Sequence, residues 1–488
     1  MAKKNLKENN LSDKIYKIIH ASSFLFFLYA AGVILPLYYR NAYYDIMDVK
    51  AELFFILMKI LLPFLIAVII LKICRKKRHI DFLACSILYL LTSSFVSAFF
   101  SYSKADAFSG RQGWYVGYFT ILCLSLMILT FKDEDRPLCS YVNYPLYLVC
   151  LFEFLLTISD AMDLDLLSMR ENLDITSHFA YFGTIGNSNW YVGYLSLFVP
   201  LFLSRYLSSE KKTDTVFFFL TSLTGLISSI LIGADGIYLS MGIAALILAM
   251  QTLDGIESLK RTSFLFLVFS LVMFFIRHSA LFASFFTFYD SIGLLLFDSR
   301  VLIITAVLSV MLFSVSLFAD KEKYLNRKKY IVISVMLILL ICAVFVLSEM
   351  ISFRGDSLDN YRFELWRISL KQFDRFDLFH KLFGLGPELL RNVYASMYSK
   401  YGIVYTVSHS ESIQVLLTMG LSGLLAWSFC WISLLYMFAR DKACFNKEIT
   451  GFYAGLFAYF AQSFVNSATI PNLCILALFV ISVAGRKK

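Results

Sequence analysis

A chain of 488 residues that is 59% hydrophobic, 17% aromatic and only 16% charged is too apolar for an ordinary soluble domain. Its net charge of +9 is not a nucleic-acid footprint, because the basic residues fall in short clusters between apolar runs. The composition is that of a polytopic integral membrane protein, and because the runs are continuous rather than alternating, helices and not strands do the spanning.

Apolar runs long enough to cross about 30 Å of hydrocarbon recur from end to end. They predict fourteen spans: 18–38, 52–73, 82–100, 114–131, 141–159, 189–207, 216–233, 236–251, 262–277, 300–319, 330–349, 412–438, 450–466 and 472–485. The first seventeen residues are basic and polar, and the run after them is long enough to stay in the membrane, so no cleaved signal peptide is expected. With the N-terminus in the cytoplasm, alternate segments hold 28 basic residues, among them Arg75-Lys76-Lys77-Arg78 and Arg486-Lys487-Lys488. The short loops on the opposite side hold seven: Arg40, Lys50, Lys104, Arg111, Arg170, Arg277 and Arg300. That asymmetry predicts both termini inside and the long hydrophilic segment 352–410 outside. The expected organisation is a bundle of spans 1–11 over residues 1–349, an extracytoplasmic loop with short amphipathic helices over 350–411, and spans 12–14 over 412–488.

Along the bundle a few features stand out. None of the nine cysteines has C-x-x-C spacing, so a metal or redox motif has no support. Lys59 and Glu153 interrupt spans at similar depth, where a structural pair is expected and a proton or ion pathway is the alternative. The outer segment 160–188 begins acidic, without the ligand pattern of a calcium loop, and ends in Gly183-Thr-Ile-Gly186-Asn187-Ser188-Asn189-Trp190. No internal repeat is visible, which weighs against repeat-built transporters.

The chemistry gathers in the outer loop. Residues 361–376 read as an amphipathic helix capped by Asp359 or Asn360. Phe363, Leu365, Trp366, Leu370, Phe373 and Phe376 fall on one side of it, and Arg367, Lys371 and Arg375 form a ridge on the other. Arg362 projects into the apolar arc beside Trp366 and Phe373. An inward guanidinium needs an anion there, either a phosphate bound by two oxygens or a carboxylate such as Glu411 or Asp235. Gly384-Leu385-Gly386-Pro387 allows an unusual backbone path into a new helix, whose free N–H groups could seat a phosphate. His409, at the mouth of the next span, titrates near neutrality and suits a base that takes a proton from a sugar hydroxyl, or is an interfacial histidine without a catalytic role. His178 and His380 carry the plainer reading. Gly420 and Gly423, within that next span, are expected to serve close helix packing.

Taken in order, Arg362-x-x-x-Trp366, Phe383-Gly384-x-Gly386, and His409-x-x-x-Ile413-Gln414 with Gly420-x-x-Gly423-Leu424 resemble the O-antigen ligase and polymerase superfamily. The run from Gly186 to Trp190 is similar to a further pattern of that family. The likeness is clearest over 350–430, with a weaker echo at 183–200. It implies a GT-C-like all-α membrane enzyme on the outer face of a bacterial cytoplasmic membrane. Such an enzyme takes a glycan from undecaprenyl pyrophosphate and passes it to an acceptor sugar hydroxyl, with inversion and without a metal or other cofactor. Its partners would be that lipid-linked oligosaccharide, the glycan acceptor, membrane lipid and other proteins of polysaccharide assembly, and not nucleic acid. The resemblance makes His409 the base and Arg362 the pyrophosphate ligand. Arg300, Arg111 and Arg391, in that order, are candidates for a second pyrophosphate arginine. Trp366, Gly384, Gly386, Glu411, Asn187, Asn189 and Asp235 complete the expected substrate-binding set. Ser410 stands where the family commonly has asparagine, and Ala234-Asp235 where many ligases carry Ser-Arg. Fourteen spans exceed the usual ligase count, which favours a polymerase. The rival expectations are a lipid-linked oligosaccharide flippase, which needs charge lining a cavity within the bundle, and a catalytically silent scaffold in glycan assembly.

Overall fold

Thirteen of the fourteen predicted runs are helices in the computed structural model, and the other, 330–349, lies outside the described residues. Described are residues 2–74, 81–132, 143–171, 173–253, 255–288, 292–318, 362–394, 402, 404–443, 446–447 and 449–485. The bundle helices are α1 (Ala2–Tyr29, running on through a π-helical turn to Leu37), α2 (Ile46–Cys74), α3 (Phe82–Phe100), and the short α4 (Lys104–Ser109). There follow α5 (Tyr118–Phe131), α6 (Tyr144–Ala161), α7 (Ser188–Ser208), α8 (Lys212–Leu231), α9 (Gly236–Thr252), α10 (Ile256–His278) and α11 (Ser299–Phe318). The hydrophilic segment supplies α12 (Arg362–Asp374) and α13 (Leu378–Phe383). The chain ends in α14 (Glu411–Arg440), α15 (Thr450–Ser463) and α16 (Ile470–Ala484).

Seven helical stretches are long and apolar enough to cross a membrane: Asp13–Leu37, Ile46–Lys72, Phe82–Phe100, Tyr144–Ala161, Lys212–Leu231, Ile256–His278 and Glu411–Arg440. Tyr118–Phe131, Gly236–Thr252, Ser299–Ser314 and Ile470–Ala484 are apolar but shorter. The protein is therefore an all-helical membrane-type bundle, and fourteen is the sequence's count of crossings, not one that helix length alone establishes.

The centre is α7, which packs on α8, α9, α15 and α16. It is buried on every side, Tyr191, Tyr194, Phe198 and Phe202 being fully enclosed, as expected of a helix apolar all round. By contrast α11 leaves Ile303, Ile304, Val307 and Leu308 exposed. Before α7, a two-residue antiparallel hairpin pairs β1 (Tyr181–Phe182) with β2 (Gly186–Asn187).

Two expectations about the bundle need correction. Lys59 does not pair with Glu153: Lys59 is exposed on α2, whereas Glu153 is fully buried on α6. Glu153 instead accepts from the Thr184 N–H at 3.0 Å and from the Thr184 hydroxyl. Its buried electrostatic partner is Lys50, whose ammonium donates to the Leu35 and Pro36 carbonyls at 2.8 and 2.5 Å. Those carbonyls end α1, where a cation both caps the helix and meets its negative pole. Lys50 thus belongs to the bundle interior, not to a loop.

On α12 the exposed ridge of Arg367, Lys371 and Arg375 is as expected. The buried arc is narrower than the predicted one. Leu365, Ser369 and Phe376 are buried and Trp366 and Phe373 half-buried, but Phe363 and Leu370 are exposed. At about 100° per residue those two sit roughly 105–130° from the line of Arg362, Leu365 and Ser369, beyond the rim of the contact.

Candidate functional site

The loop segment is fastened to the bundle first by backbone contact. Within α14, Gly420 has φ 67° and ψ −165°, which breaks the helix. A Cβ at Gly420 would run into the Leu382–Phe383 backbone, and one at Gly384 (φ 74°) into the Thr418–Met419 backbone. Only glycine permits both the left-handed turn and the approach. Across this joint the N–H groups of Leu385 and Gly386 donate to the Leu417 and Thr418 carbonyls at 3.0 and 2.9 Å. Ser97 on α3 adds its hydroxyl to the Thr418 carbonyl at 2.5 Å. The amides of Gly384 and Gly386 are therefore committed to protein carbonyls, Gly384 N–H bonding His380 O at 2.8 Å. The expected phosphate seat at these glycines is a structural joint, and Pro387 opens a turn rather than a helix.

From this joint the chain returns to α14 through a tight turn at 408–410. Ser408 N–H donates to Gln414 Oε1 at 3.0 Å, and Ser408 Oγ to the Ser410 carbonyl at 2.6 Å. These bonds hold His409 at φ 51°, a left-handed backbone that histidine tolerates better than most residues. Its ring meets Tyr405 edge-on at 5.9 Å. Burial, and then the Arg362 guanidinium, hold the imidazole down at about 4, so it is neutral at pH 7.

Arg362 and His409, 47 positions apart in the chain, are thus within electrostatic reach of one another. Arg362 is half-buried and donates through Nη2 to Asn189 Oδ1 at 2.9 Å. Asn189 stands on the first turn of α7, where Asn187 Oδ1 caps its N–H at 3.0 Å. Trp366 locks α12 to the histidine turn through an indole bond to Ser408 O at 3.1 Å. Five predicted residues therefore converge: Arg362, Trp366, His409, Asn187 and Asn189.

The hairpin behind Asn189 is held by buried ionic groups. Glu153 fixes Thr184, Asp160 Oδ2 accepts Gly183 N–H at 2.7 Å, and the Tyr43 hydroxyl donates to Gly183 O at 2.7 Å. Arg170, 2% exposed, donates to Asp160 O at 2.8 Å and Tyr181 O at 3.0 Å. Sequence reasoning missed this shoulder, since Arg170 had looked like a loop cation. His178 and His380 are held by Asp163 and Asp377 at 3.1 and 2.8 Å, in keeping with plain structural roles.

Of the other predicted residues, Arg300 and Asp235 lie elsewhere, Arg111 and Arg391 share a separate recess, and Glu411 adjoins the histidine turn. Arg300 is exposed at the start of α11 and pairs with Asp298 at 3.2 Å. Asp235 is half-buried between α8 and α9. Arg111 and Arg391 share a polar recess of about 390 Å³ with Tyr102, Asp106, Gln112 and Asn392. Glu411 is buried at the head of α14, where it accepts the Tyr459 hydroxyl at 2.7 Å.

Beside the histidine turn opens a cavity of about 220 Å³ between α3, α5, α14 and α16. It is lined by Leu83, Ile87, Leu124, Trp431 and Val480 along its length, and by Glu388, Val407, Glu411 and Gln414 at one end. Glu388, a residue the sequence did not single out, is buried, and burial pushes its carboxyl up to about 8 while Arg111 pulls it back. Among the described residues no three His, Cys, Asp or Glu side chains converge to hold a metal ion. The chain matches no protein-family model and no curated protein.

Proposed function

We propose that this protein is a glycosyltransferase of the O-antigen polymerase or ligase type, moving a glycan from undecaprenyl pyrophosphate to an acceptor sugar hydroxyl. The observation that carries the reading is a half-buried guanidinium within electrostatic reach of a neutral imidazole, in a turn whose flanking residues Val407 and Glu411 line an apolar cavity. Two cationic groups would repel here, while a base beside a fixed positive charge fits an anionic leaving group next to a hydroxyl that must lose its proton.

In this reading the diphosphate docks on Arg362, whose guanidinium is oriented by its bond to Asn189. The negative charge of the diphosphate offsets the field that depresses His409, so donor binding raises the basicity of the imidazole when it is needed. His409 then takes the proton of the acceptor hydroxyl as that oxygen attacks the anomeric carbon, and the bond to the diphosphate breaks with its electrons. Arg362 stabilises the charge that grows on the departing oxygen. The apolar cavity has room for the first few isoprene units, with the remainder in lipid.

The loop 362–410 would lie on the outer face of a bacterial cytoplasmic membrane, as the distribution of basic residues expects. A flippase needs charge along a passage through the bundle. Lys50 and Glu153, the fully buried ionisable pair, are instead bonded to backbone carbonyls and to Thr184, which favours the enzyme. The test is to supply purified protein in lipid nanodiscs with an undecaprenyl-pyrophosphate oligosaccharide and follow chain growth or transfer. Product that persists in both His409→Ala and Arg362→Ala would sink the reading.

A further inference from the structure

The cavity is apolar along most of its length, yet polar groups line the end nearest the histidine turn: Glu388, Glu411, Gln414 and Trp114. Three of them are already engaged. Glu411 accepts from Tyr459, Gln414 Oε1 accepts from Ser408 N–H, and the Trp114 indole donates to Thr406 Oγ1 at 3.1 Å. Glu388 is different. It is 6% exposed and lines the cavity, and among the described residues its carboxyl makes no hydrogen bond. Its backbone is also left-handed, φ 65°, directly after Pro387. Arg111 is within electrostatic reach of this acid but makes no hydrogen bond or ion pair with it. A buried acid that no protein group hydrogen-bonds, on a strained backbone, is a poor way to fill apolar space, so its hydrogen-bonding capacity has to be met by something that enters the cavity.

The occupant can be narrowed by elimination. A phosphate is repelled by a carboxylate and gains little from a carboxyl. A prenyl chain needs no polar group at all. A cation would call for an ionised acid, and burial keeps this one protonated near neutral pH. A protonated carboxyl both donates and accepts, which matches a sugar hydroxyl.

We propose that Glu388 is a positioning residue that hydrogen-bonds a hydroxyl of the first sugar on the lipid diphosphate, at the mouth of the cavity. This deepens the donor reading above and rests on it. Glu388 turns the sugar so that its anomeric carbon faces the acceptor side, and selects donors that carry a hydroxyl at the matching ring position.

Equilibrium binding of two lipids to nanodisc-embedded protein tests this: undecaprenyl diphosphate, and undecaprenyl diphosphate bearing N-acetylglucosamine. Wild type should bind the glycosylated lipid more tightly. Glu388→Leu should weaken that lipid about tenfold and leave the bare diphosphate within about twofold, one hydrogen bond being at stake. Glu388→Gln, which still donates and accepts but cannot ionise, should keep wild-type preference, and its thermal unfolding reports that the fold is intact. Equal loss for both lipids in Glu388→Leu, no loss for either, or a Gln variant as poor as the Leu variant overturns the assignment while leaving the donor reading standing. Wild-type protein that binds neither lipid overturns both.

Discussion

The shoulder that carries Asn189 and the loop that carries Arg362 and His409 both bury ionisable groups, but they treat them in opposite ways. On the shoulder, Lys50, Glu153, Asp160 and Arg170 are tied to backbone groups and to Thr184, so the 181–189 hairpin has one arrangement. On the loop, burial and then the Arg362 guanidinium lower the basicity of His409, and Glu388 faces a cavity with no hydrogen bond among the described residues. Buried ionisable groups that the protein hydrogen-bonds hold shape, whereas those it leaves without a hydrogen bond await a ligand. The first region makes the second possible, because Asn189 can aim Arg362 only if the hairpin beneath it does not move.

The sharpest way to break this contrast is at the loop. His409→Ala should lower transfer by about 10²–10⁴-fold and Arg362→Ala by about 10²–10³-fold. Unfolding temperature in detergent should stay near wild type in both. Glu153→Leu should do the reverse: unpairing buried Lys50 and the Thr184 N–H should cost about 3–5 kcal/mol of stability, read by thermal unfolding, with activity lost along with the fold. A Glu153 variant as stable as wild type would mean the shoulder is no scaffold.

A third test uses protons. In the free protein His409 titrates at about 4. Bound diphosphate should raise that value, so between pH of about 5 and 6.5 the complex holds more protons than the free protein and donor binding takes up as much as one. Binding enthalpies measured in buffers of different ionisation heat give the number, and zero uptake would contradict a diphosphate beside the ring. The same depression means that this group's contribution to stability is present above its unfolded value of about 6.5 and is lost as pH falls through about 4. The mildest test is Asn189→Ala, which removes one charge-assisted bond from Arg362 and should lower turnover about tenfold. The unfolding temperature should not change.

Much of this was legible in the chain because hydropathy is a local property. Thirteen helices followed from apolar runs, the solvent ridge of Arg367, Lys371 and Arg375 from helical period, and the inward Arg362 from its place in the arc. The break between α8 and α9 was marked by Ala234-Asp235-Gly236. What failed were statements about pairs. Lys59 and Glu153 share a depth, but depth says nothing of rotation about two helix axes, and Lys50 was the residue turned inward. Phe363 and Leu370 are apolar, but only a neighbour decides how wide a helix face is buried.

The sequence by itself determined that this is a helical membrane-type protein with one long hydrophilic segment between its apolar runs, since transfer energies add residue by residue along a chain. Tertiary structure alone decided which residues meet. The joint at Gly384 and Gly420, the hairpin that presents Asn189, and the placement of Glu388 on a cavity wall all depend on contacts between segments far apart in sequence. No period or composition encodes such contacts, because each is fixed by the fit of two backbones.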